Sequence, residues 1–118
     1  MHNIKELKIW NKSIDLAVDI YESTARFPPD ERFGLTSQAR RCAISISSNI
    51  SEGAGRNTKG EFKQFLGIAN GSSYELQTQI VIANKLKFID YISTEDILNK
   101  IDEIQKMNYK LQKSLENI

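Results

Sequence analysis

The first third of the chain contains one helical pattern followed by a loop with two prolines. Six residues, apolar or small, recur every three or four positions, as on one face of an α-helix: Leu7, Trp10, Ile14, Ala17, Tyr21 and Thr24. Pro28 predicts that the helix ends near Arg26, because proline disfavours helical geometry at the residue before it. Phe27 and Phe33 flank the loop, and we expect both to cover the end of the core.

A second helix is predicted to begin at Gly34, with Thr36 as a candidate N-cap and with Gly53 and Gly55 ending it. Ile44 lies on the side of this helix opposite its apolar stripe, which indicates a second contact surface. The stripe consists of Ala39, Ala43, Ile46 and Ile50, with Cys42 beside it.

A third helix is predicted over residues 59–89, opened by a capping box in which Thr58 and Glu61 have the Ser/Thr-x-x-Glu spacing. Two parallel stripes run along it, so we expect it to be the longest helix and the most buried. The first stripe contains Phe62, Leu66, Ala69, Ser73, Leu76, Ile80 and Ala83. The second contains Ile68, Ser72, Glu75, Gln79, Ile82 and Leu86.

The fourth helix completes the predicted fold and is expected to begin at Ser93 or Thr94. Its seam is Ile97, Ile101, Ile104, Asn108, Leu111, Leu115 and Ile118. Asn108 interrupts this seam; it either fixes the register of packing or reaches water or a neighbouring carbonyl. Four such helices with short loops predict an all-α fold, an antiparallel up-down-up-down four-helix bundle that forms one domain over residues 1–118.

Charge is balanced over the whole chain but not along it. The 118 residues include 16 basic and 15 acidic ones, whereas residues 33–89 alone carry a net charge of +4. The single cysteine excludes an intramolecular disulfide, and no apolar run approaches the roughly 20 residues of a membrane span. Residues 1–8 lack the apolar core of a signal peptide. We therefore expect a cytoplasmic protein without membrane association.

The sequence contains no recognisable catalytic or metal-binding set. His2 is the only histidine, so neither a histidine-activated nucleophile nor a Glu-x-x-His metal pair is available. Cys42 has no Cys-x-x-Cys partner and is expected to be a buried structural thiol. We predict a protein that is not an enzyme, holds no metal and needs no cofactor.

Glu75 is the most informative charged residue, because it lies in the middle of a stripe predicted to be buried, where a carboxylate needs a partner. Counting back along two antiparallel helices places Arg41 at nearly the same depth. We predict an Arg41–Glu75 pair within a buried polar network that also includes Asn49, Glu52 and Gln79. This network holds the bundle or an interface between copies; the alternative is a binding pocket.

Four basic residues are candidates for nucleic-acid contact: Arg40, Arg56, Lys59 and Lys63. Repetition of such a patch around a ring would multiply weak phosphate contacts, whereas the alternative is an ordinary solvated face. The adjacent glycine turn, residues 52–57, precedes a helix N-terminus, as phosphate-binding loops do. A glycine C-cap followed by a capping box is the favoured interpretation of this turn.

Several short motifs occur in order along the middle of the chain. They are Gly34-Leu35, Gln38, Arg41, residues 45–53 (Ser-Ile-Ser-Ser-Asn-Ile-Ser-Glu-Gly), Glu61-Phe62, Phe65-Leu66, residues 68–72 and residues 75–79. This combination resembles a bacterial four-helix-bundle family named from reading frames inside 23S ribosomal RNA intervening sequences, also called S23 ribosomal-protein-like. The resemblance implies assembly into a ring, typically a pentamer. A related branch, the accessory protein of diversity-generating retroelements, binds nucleic acid and a reverse transcriptase.

The residues and the resemblance together lead to two hypotheses about function. The first is a non-catalytic homo-oligomer, a pentamer, that binds RNA or DNA through its basic surface, with a reverse transcriptase or another protein as a candidate partner. The alternative is a structural or protein-adaptor ring without a nucleic-acid role.

Overall fold

The computed structural model describes residues 3–116, and this part of the chain is all-α. Its helices are α1 (Lys8–Thr24), α2 (Leu35–Ala54), α3 (Lys59–Lys85) and α4 (Tyr91–Glu116), with 3-10 turns at Ile4–Glu6 and Pro29–Glu31. The helices pack side by side into a body of 48 × 23 × 21 Å. Most contacts of α2 are with α1 and α3, and most contacts of α4 are with α3 and α1. His2 and Ile118 lie outside the described residues.

Helix α1 turns only part of the predicted stripe to the core: Ala17 and Thr24 are buried, and Leu7 and Trp10 pack against the core in partly buried positions. Its buried residues are Ile9, Ser13, Leu16, Ala17, Ile20 and Thr24. Ile14 and Tyr21, which the spacing assigned to the core, are exposed. Apolar residues cover more than half of the circumference of α1, so two neighbouring stripes satisfy the helical spacing. The stripe that contains Leu16 and Ile20 is the one that packs.

Helix α2 has the predicted stripe, and its four stripe residues and Cys42 are all buried. The N-cap is Gly34, so the assignment of this role to Thr36 was wrong. Gly53 does not end α2 but lies buried within its last turn. A methyl group on Gly53 would stand 2.8 Å from the Cβ of Phe65 and 2.9 Å from the Cδ1 of Phe62. Gly53 therefore permits a close approach of α3 to α2.

Helix α3 buries one of its two predicted stripes. Every residue of the first stripe is buried, but of the second stripe only Gln79 is. The predicted N-cap residue of the capping box is confirmed, since the Thr58 Oγ1 accepts a hydrogen bond from the backbone N–H of Glu61 at 3.1 Å and donates to the Glu61 Oε1 at 3.0 Å. Within residues 3–116, α3 has 27 residues and α4 has 26. The expectation of two buried seams fails because one helix of such a bundle turns only one side toward the shared core.

Helix α3 ends four residues earlier than predicted, in a Schellman motif whose left-handed position is not occupied by glycine. Lys87 adopts a left-handed conformation with a φ of 65°. The backbone N–H groups of Lys87 and Phe88 then donate to the carbonyls of Asn84 and Ala83, both at 2.9 Å. These are the two hydrogen bonds of that motif, so the turn into α4 begins at Lys87.

Helix α4 begins before the predicted residues, because Asp90 is its capping side chain. The Asp90 Oδ1 accepts from the backbone N–H of Ser93 at 2.7 Å, and this bond lowers the pKa of the Asp90 carboxyl. Asn108 is buried in the α4 seam, where its Nδ2 donates to the carbonyl oxygen of Leu66 at 2.9 Å. That contact joins α4 to α3 at a fixed register. Asn108 therefore bonds to a neighbouring carbonyl and fixes the packing register through the same hydrogen bond.

Only one of the two loop aromatics covers the core. Phe27 is buried and packs against Phe88, with ring centroids 5.7 Å apart. Phe33 is 86 % exposed, and the guanidinium of Arg32 lies over its ring. The prediction for Phe33 was therefore wrong: the 3-10 turn Pro29–Glu31 carries the chain past the end of the core before Phe33 is reached.

Candidate functional site

The predicted basic cluster is assembled in part, and carboxylates neutralise most of it. Arg56 lies 3.3 Å from Glu52 and 3.8 Å from Glu61, and its guanidinium stacks on the ring of Phe65. The Nζ of Lys63 lies 2.7 Å from Glu116 of α4, and this contact lowers the pKa of the Glu116 carboxyl.

Lys59, unlike Arg56 and Lys63, keeps an unpaired charge. Its side chain is exposed and has no ion pair within residues 3–116. The first turn of α3 and its surroundings thus present mixed charge rather than a positive patch. Glu52 and Glu61 are near Arg56 in sequence, but the approach of Glu116 depends on how α4 packs.

Arg40 lies apart from the other three basic residues and ties α1 to α2. Its Nε donates to the Oγ1 of Thr24 at 2.9 Å, and its Nη2 donates to the carbonyl oxygen of Tyr21 at 3.3 Å. The guanidinium also stacks on the Tyr21 ring, 4.6 Å from its centroid. This side chain is therefore committed to holding two helices together.

The predicted polar network is not buried within the single chain. Arg41, Glu52 and Glu75 are exposed, Asn49 is half-buried, and Gln79 is buried. The Nδ2 of Asn49 donates within α2, to the carbonyl oxygen of Ser45 at 2.8 Å. Within the single chain the prediction of burial is confirmed for Gln79 and wrong for Arg41, Glu52 and Glu75. Glu75 is exposed because the second stripe of α3 faces outward. Burial at an interface between copies stays a prediction.

Arg41 and Glu75 nevertheless lie at one level of the molecule, on either side of Cys42. Their charges act on its thiol in opposite directions: burial and the carboxylate of Glu75 raise the pKa of Cys42, whereas Arg41 lowers it, and the result is about 11. The thiol therefore stays protonated at neutral pH and is a poor nucleophile. Its burial agrees with the predicted structural role.

Two separate apolar faces remain exposed on the described chain. The first apolar face lies on α1 and α2 and consists of Ile14, Val18, Tyr21 and Ile44. The second apolar face lies on the outward stripe of α3 and consists of Ile68, Ile82 and Leu86. Between them α2 exposes polar side chains, among them Gln38, Arg41, Ser48 and Glu52.

The first apolar face was missed by sequence reasoning, apart from Ile44. The signal was present, since Ile14, Val18 and Tyr21 follow one another at helical spacing. Assigning Ile14 and Tyr21 to the core hid it, and Val18 then had no apolar neighbours on its side of α1. The residues of the second face were predicted as a stripe of α3, but they were expected to be buried and are exposed.

Residues 3–116 offer neither a cluster of metal ligands nor a helix that could span a membrane. That part of the chain holds no group of three or more histidine, cysteine, aspartate or glutamate side chains placed to bind a metal ion. None of its helices is both long enough and apolar enough to cross a membrane.

The fold and this surface define a small all-α protein of four packed helices. A family model described as 23S rRNA-intervening sequence protein matches residues 5–110, and the chain belongs to this family. No curated protein matches the chain. A solved structure, a protein of unknown function from the S23 ribosomal protein family of Bacteroides thetaiotaomicron VPI-5482, superposes with a TM-score of 0.83. The two sequences are 24 % identical, and the superposition covers 89 % of this chain and 95 % of the solved chain. This likeness shows a shared fold.

Proposed function

We propose that the four helices alternate in direction, as an up-down-up-down bundle. The residue pairs in contact support this topology. Between α2 and α3, the hydroxyls of Ser45 and Ser72 lie 2.8 Å apart, and Gly53 lies against Phe65. As residue numbers increase along α2, the numbers of the contacting residues on α3 decrease, as expected for antiparallel helices.

The pairs between α4 and its two neighbours follow the same rule. Against α1, Lys100 pairs with Asp19 at 2.6 Å and Glu103 with Lys12 at 3.2 Å. Against α3, Gln105 donates a hydrogen bond to Gln77 at 3.0 Å. Glu116, at the C-terminal end of α4, pairs with Lys63, near the N-terminal end of α3.

We propose that this protein is a non-catalytic scaffold that assembles with copies of itself into a ring. The observation that carries the proposal is the pair of apolar faces, which are exposed on one chain and differ in residues and in position. Apolar side chains that stay exposed along one side of a helix in this way mark interaction sites in proteins surrounded by water. Two unlike faces join head to tail, and such heterologous joining closes into a ring when the rotation between copies allows.

The positions of the two faces favour a small ring. Adjacent sides of a four-helix bundle stand at roughly a right angle, so head-to-tail joining closes after about four or five copies. The pentamer implied by the family resemblance lies within this range. In such a ring α2, with its exposed polar side chains, stands between the two interfaces and nearest the axis.

Light scattering after size-exclusion chromatography tests this proposal. We expect a single species whose mass is a small integer multiple of the 13.5 kDa chain. Apolar faces provide the association energy, so the mass should persist at high salt, where ion pairs are screened. A mass of one chain at high micromolar concentration would overturn the proposal.

The alternative function, nucleic-acid binding through the basic cluster, is the weaker candidate, because Arg56 and Lys63 are paired with carboxylates and Arg40 is engaged between helices. We predict that Arg56→Ala, Lys59→Ala and Lys63→Ala combined changes the affinity for single-stranded RNA by less than about threefold at low salt. Fluorescence anisotropy with a labelled homopolymer measures this, with Lys106→Ala as a surface-charge control. Tight, salt-dependent RNA binding that the triple variant abolishes would restore the nucleic-acid function.

A further inference from the structure

A polar cleft runs between α2 and α3, on the side where the second stripe of α3 faces outward. It has a volume of about 360 Å³ and is lined by Gln38, Arg41, Cys42, Ser45, Ser72 and Glu75. The hydroxyls of Ser45 and Ser72 bond to each other across it at 2.8 Å. The Nδ2 of Asn49 also donates to the Oγ of Ser45 at 3.0 Å, so this wall of the cleft is fixed.

The charges of the cleft are unusual among those at the helix–helix seams of this protein. The seams of α4 hold close pairs, such as Lys100 with Asp19 and Lys63 with Glu116. Arg41 and Glu75 stand on opposite walls of the cleft, yet within the described residues neither forms an ion pair within 4.0 Å. One wall thus offers an unpaired cation and the other an unpaired anion.

A buried acceptor behind the cleft is also unsatisfied. Gln79 is only 6 % exposed, and its Oε1 has no hydrogen-bond partner in the part of the chain that the structure describes. Gln79 lies against Cys42, which is one of the residues that line the cleft. A buried polar atom without a partner is costly. Arg41 and Glu75 therefore line the cleft without ion-pair partners, and the unsatisfied Oε1 of Gln79 belongs to a residue that contacts Cys42 in the cleft wall.

We propose that this cleft binds a small zwitterion of the amino-acid type, whose carboxylate pairs with Arg41 and whose ammonium group pairs with Glu75. A guanidinium matches a carboxylate with two parallel hydrogen bonds, and the Glu75 carboxylate accepts from an ammonium. The volume suits a ligand of a few heavy atoms and lies at the small end of ligand clefts. The protonated thiol of Cys42 takes no covalent part.

All the lining residues belong to one chain. Ser72 and Glu75 share the outward stripe of α3 with the second apolar face, so the proposal concerns a chain whose second face is not covered by a neighbouring copy. Because the charged walls are open to water, we expect weak binding, in the millimolar range. Saturation-transfer difference NMR detects ligands that bind this weakly and exchange rapidly. Glycine, β-alanine and γ-aminobutyrate serve as probes, because they carry the same two charges at increasing separation. Ethylamine and acetate carry one charge each.

The expected result is a saturable signal from at least one zwitterion and a signal weaker by about tenfold from the singly charged probes. Glu75→Gln and Arg41→Gln should each weaken binding by about tenfold as well, whereas Glu95→Gln, an exposed carboxylate on α4, should not. Equal signals from acetate and the zwitterions, no saturable signal, or unchanged binding to Glu75→Gln would overturn the proposal. Light scattering on the same samples separates loss of the ligand from loss of assembly.

Discussion

Replacing one residue on either apolar face will convert the assembled protein to single chains. Val18 on the first face is 52 % exposed and Ile68 on the second is 48 % exposed, so each chain tolerates glutamate there without disturbing its core. Burying a carboxylate in an apolar contact costs several kcal/mol unless the charge finds a partner. A cost of that size weakens association by about a hundredfold or more, since each 1.4 kcal/mol is about tenfold in affinity. Val18→Glu and Ile68→Glu should therefore each run at the mass of one chain.

Ile92→Glu is the matched control for these two variants. Ile92 is 80 % exposed and lies in the first turn of α4, away from both apolar faces. It undergoes the same change of an exposed aliphatic residue to glutamate, at a helix N-terminus where a negative charge is favourable. This variant should keep the mass of the wild type. Loss of assembly by Ile92→Glu as well would mean that net charge, and not the two faces, governs association.

Gly53→Ala will give a large loss of stability for one added methyl group. The new Cβ would stand 2.8 Å from the Cβ of Phe65 and 3.2 Å from the carbonyl oxygen of Phe62. Neither contact can move aside cheaply, because both atoms belong to or adjoin the backbone of α3. Overpacking of a tight contact costs about 1–3 kcal/mol. The gain in helix propensity from glycine to alanine, about 1 kcal/mol at most, does not offset it.

Gly60→Ala provides the comparison, because an added Cβ there meets no atom within 4 Å. Gly60 lies in the first turn of α3, so the same exchange should leave the free energy of unfolding unchanged or raise it slightly. Urea denaturation followed by circular dichroism measures both variants, at one protein concentration because assembly contributes to the apparent stability. Equal stability of the two variants would show that α2 and α3 do not approach each other at Gly53 as described.

Much of the fold could be predicted because local spacing determines it. The apolar stripe of α2, the first stripe of α3 and the N-cap Thr58 were all correct, since each depends on residues within a few turns of one another. The buried side of α1 was predicted only in part because its apolar residues form two neighbouring stripes, and only packing against α2 and α4 chooses between them. The Schellman turn at Lys87 carries no glycine to signal it.

The candidate sites could be predicted less well, because they depend on contacts between distant segments. The pairing of Lys63 with Glu116 joins α3 to α4 and neutralises one of the four residues of the predicted positive patch. Glu75 was expected to be buried because the spacing of its stripe matches that of the core stripe beside it. Spacing alone does not say which of two stripes faces the core, so the Arg41–Glu75 cleft was predicted as a closed pair.

Mixing the two face variants tests head-to-tail assembly most directly. Val18→Glu keeps an intact second face, and Ile68→Glu keeps an intact first face. An equimolar mixture should therefore form one interface and stop, giving a species of two chains although each variant alone is a single chain. Native mass spectrometry would identify this species as a heterodimer. If either variant alone forms a dimer, like faces pair with like; if the mixture stays as single chains, the two faces do not bind each other, and the proposed ring is contradicted.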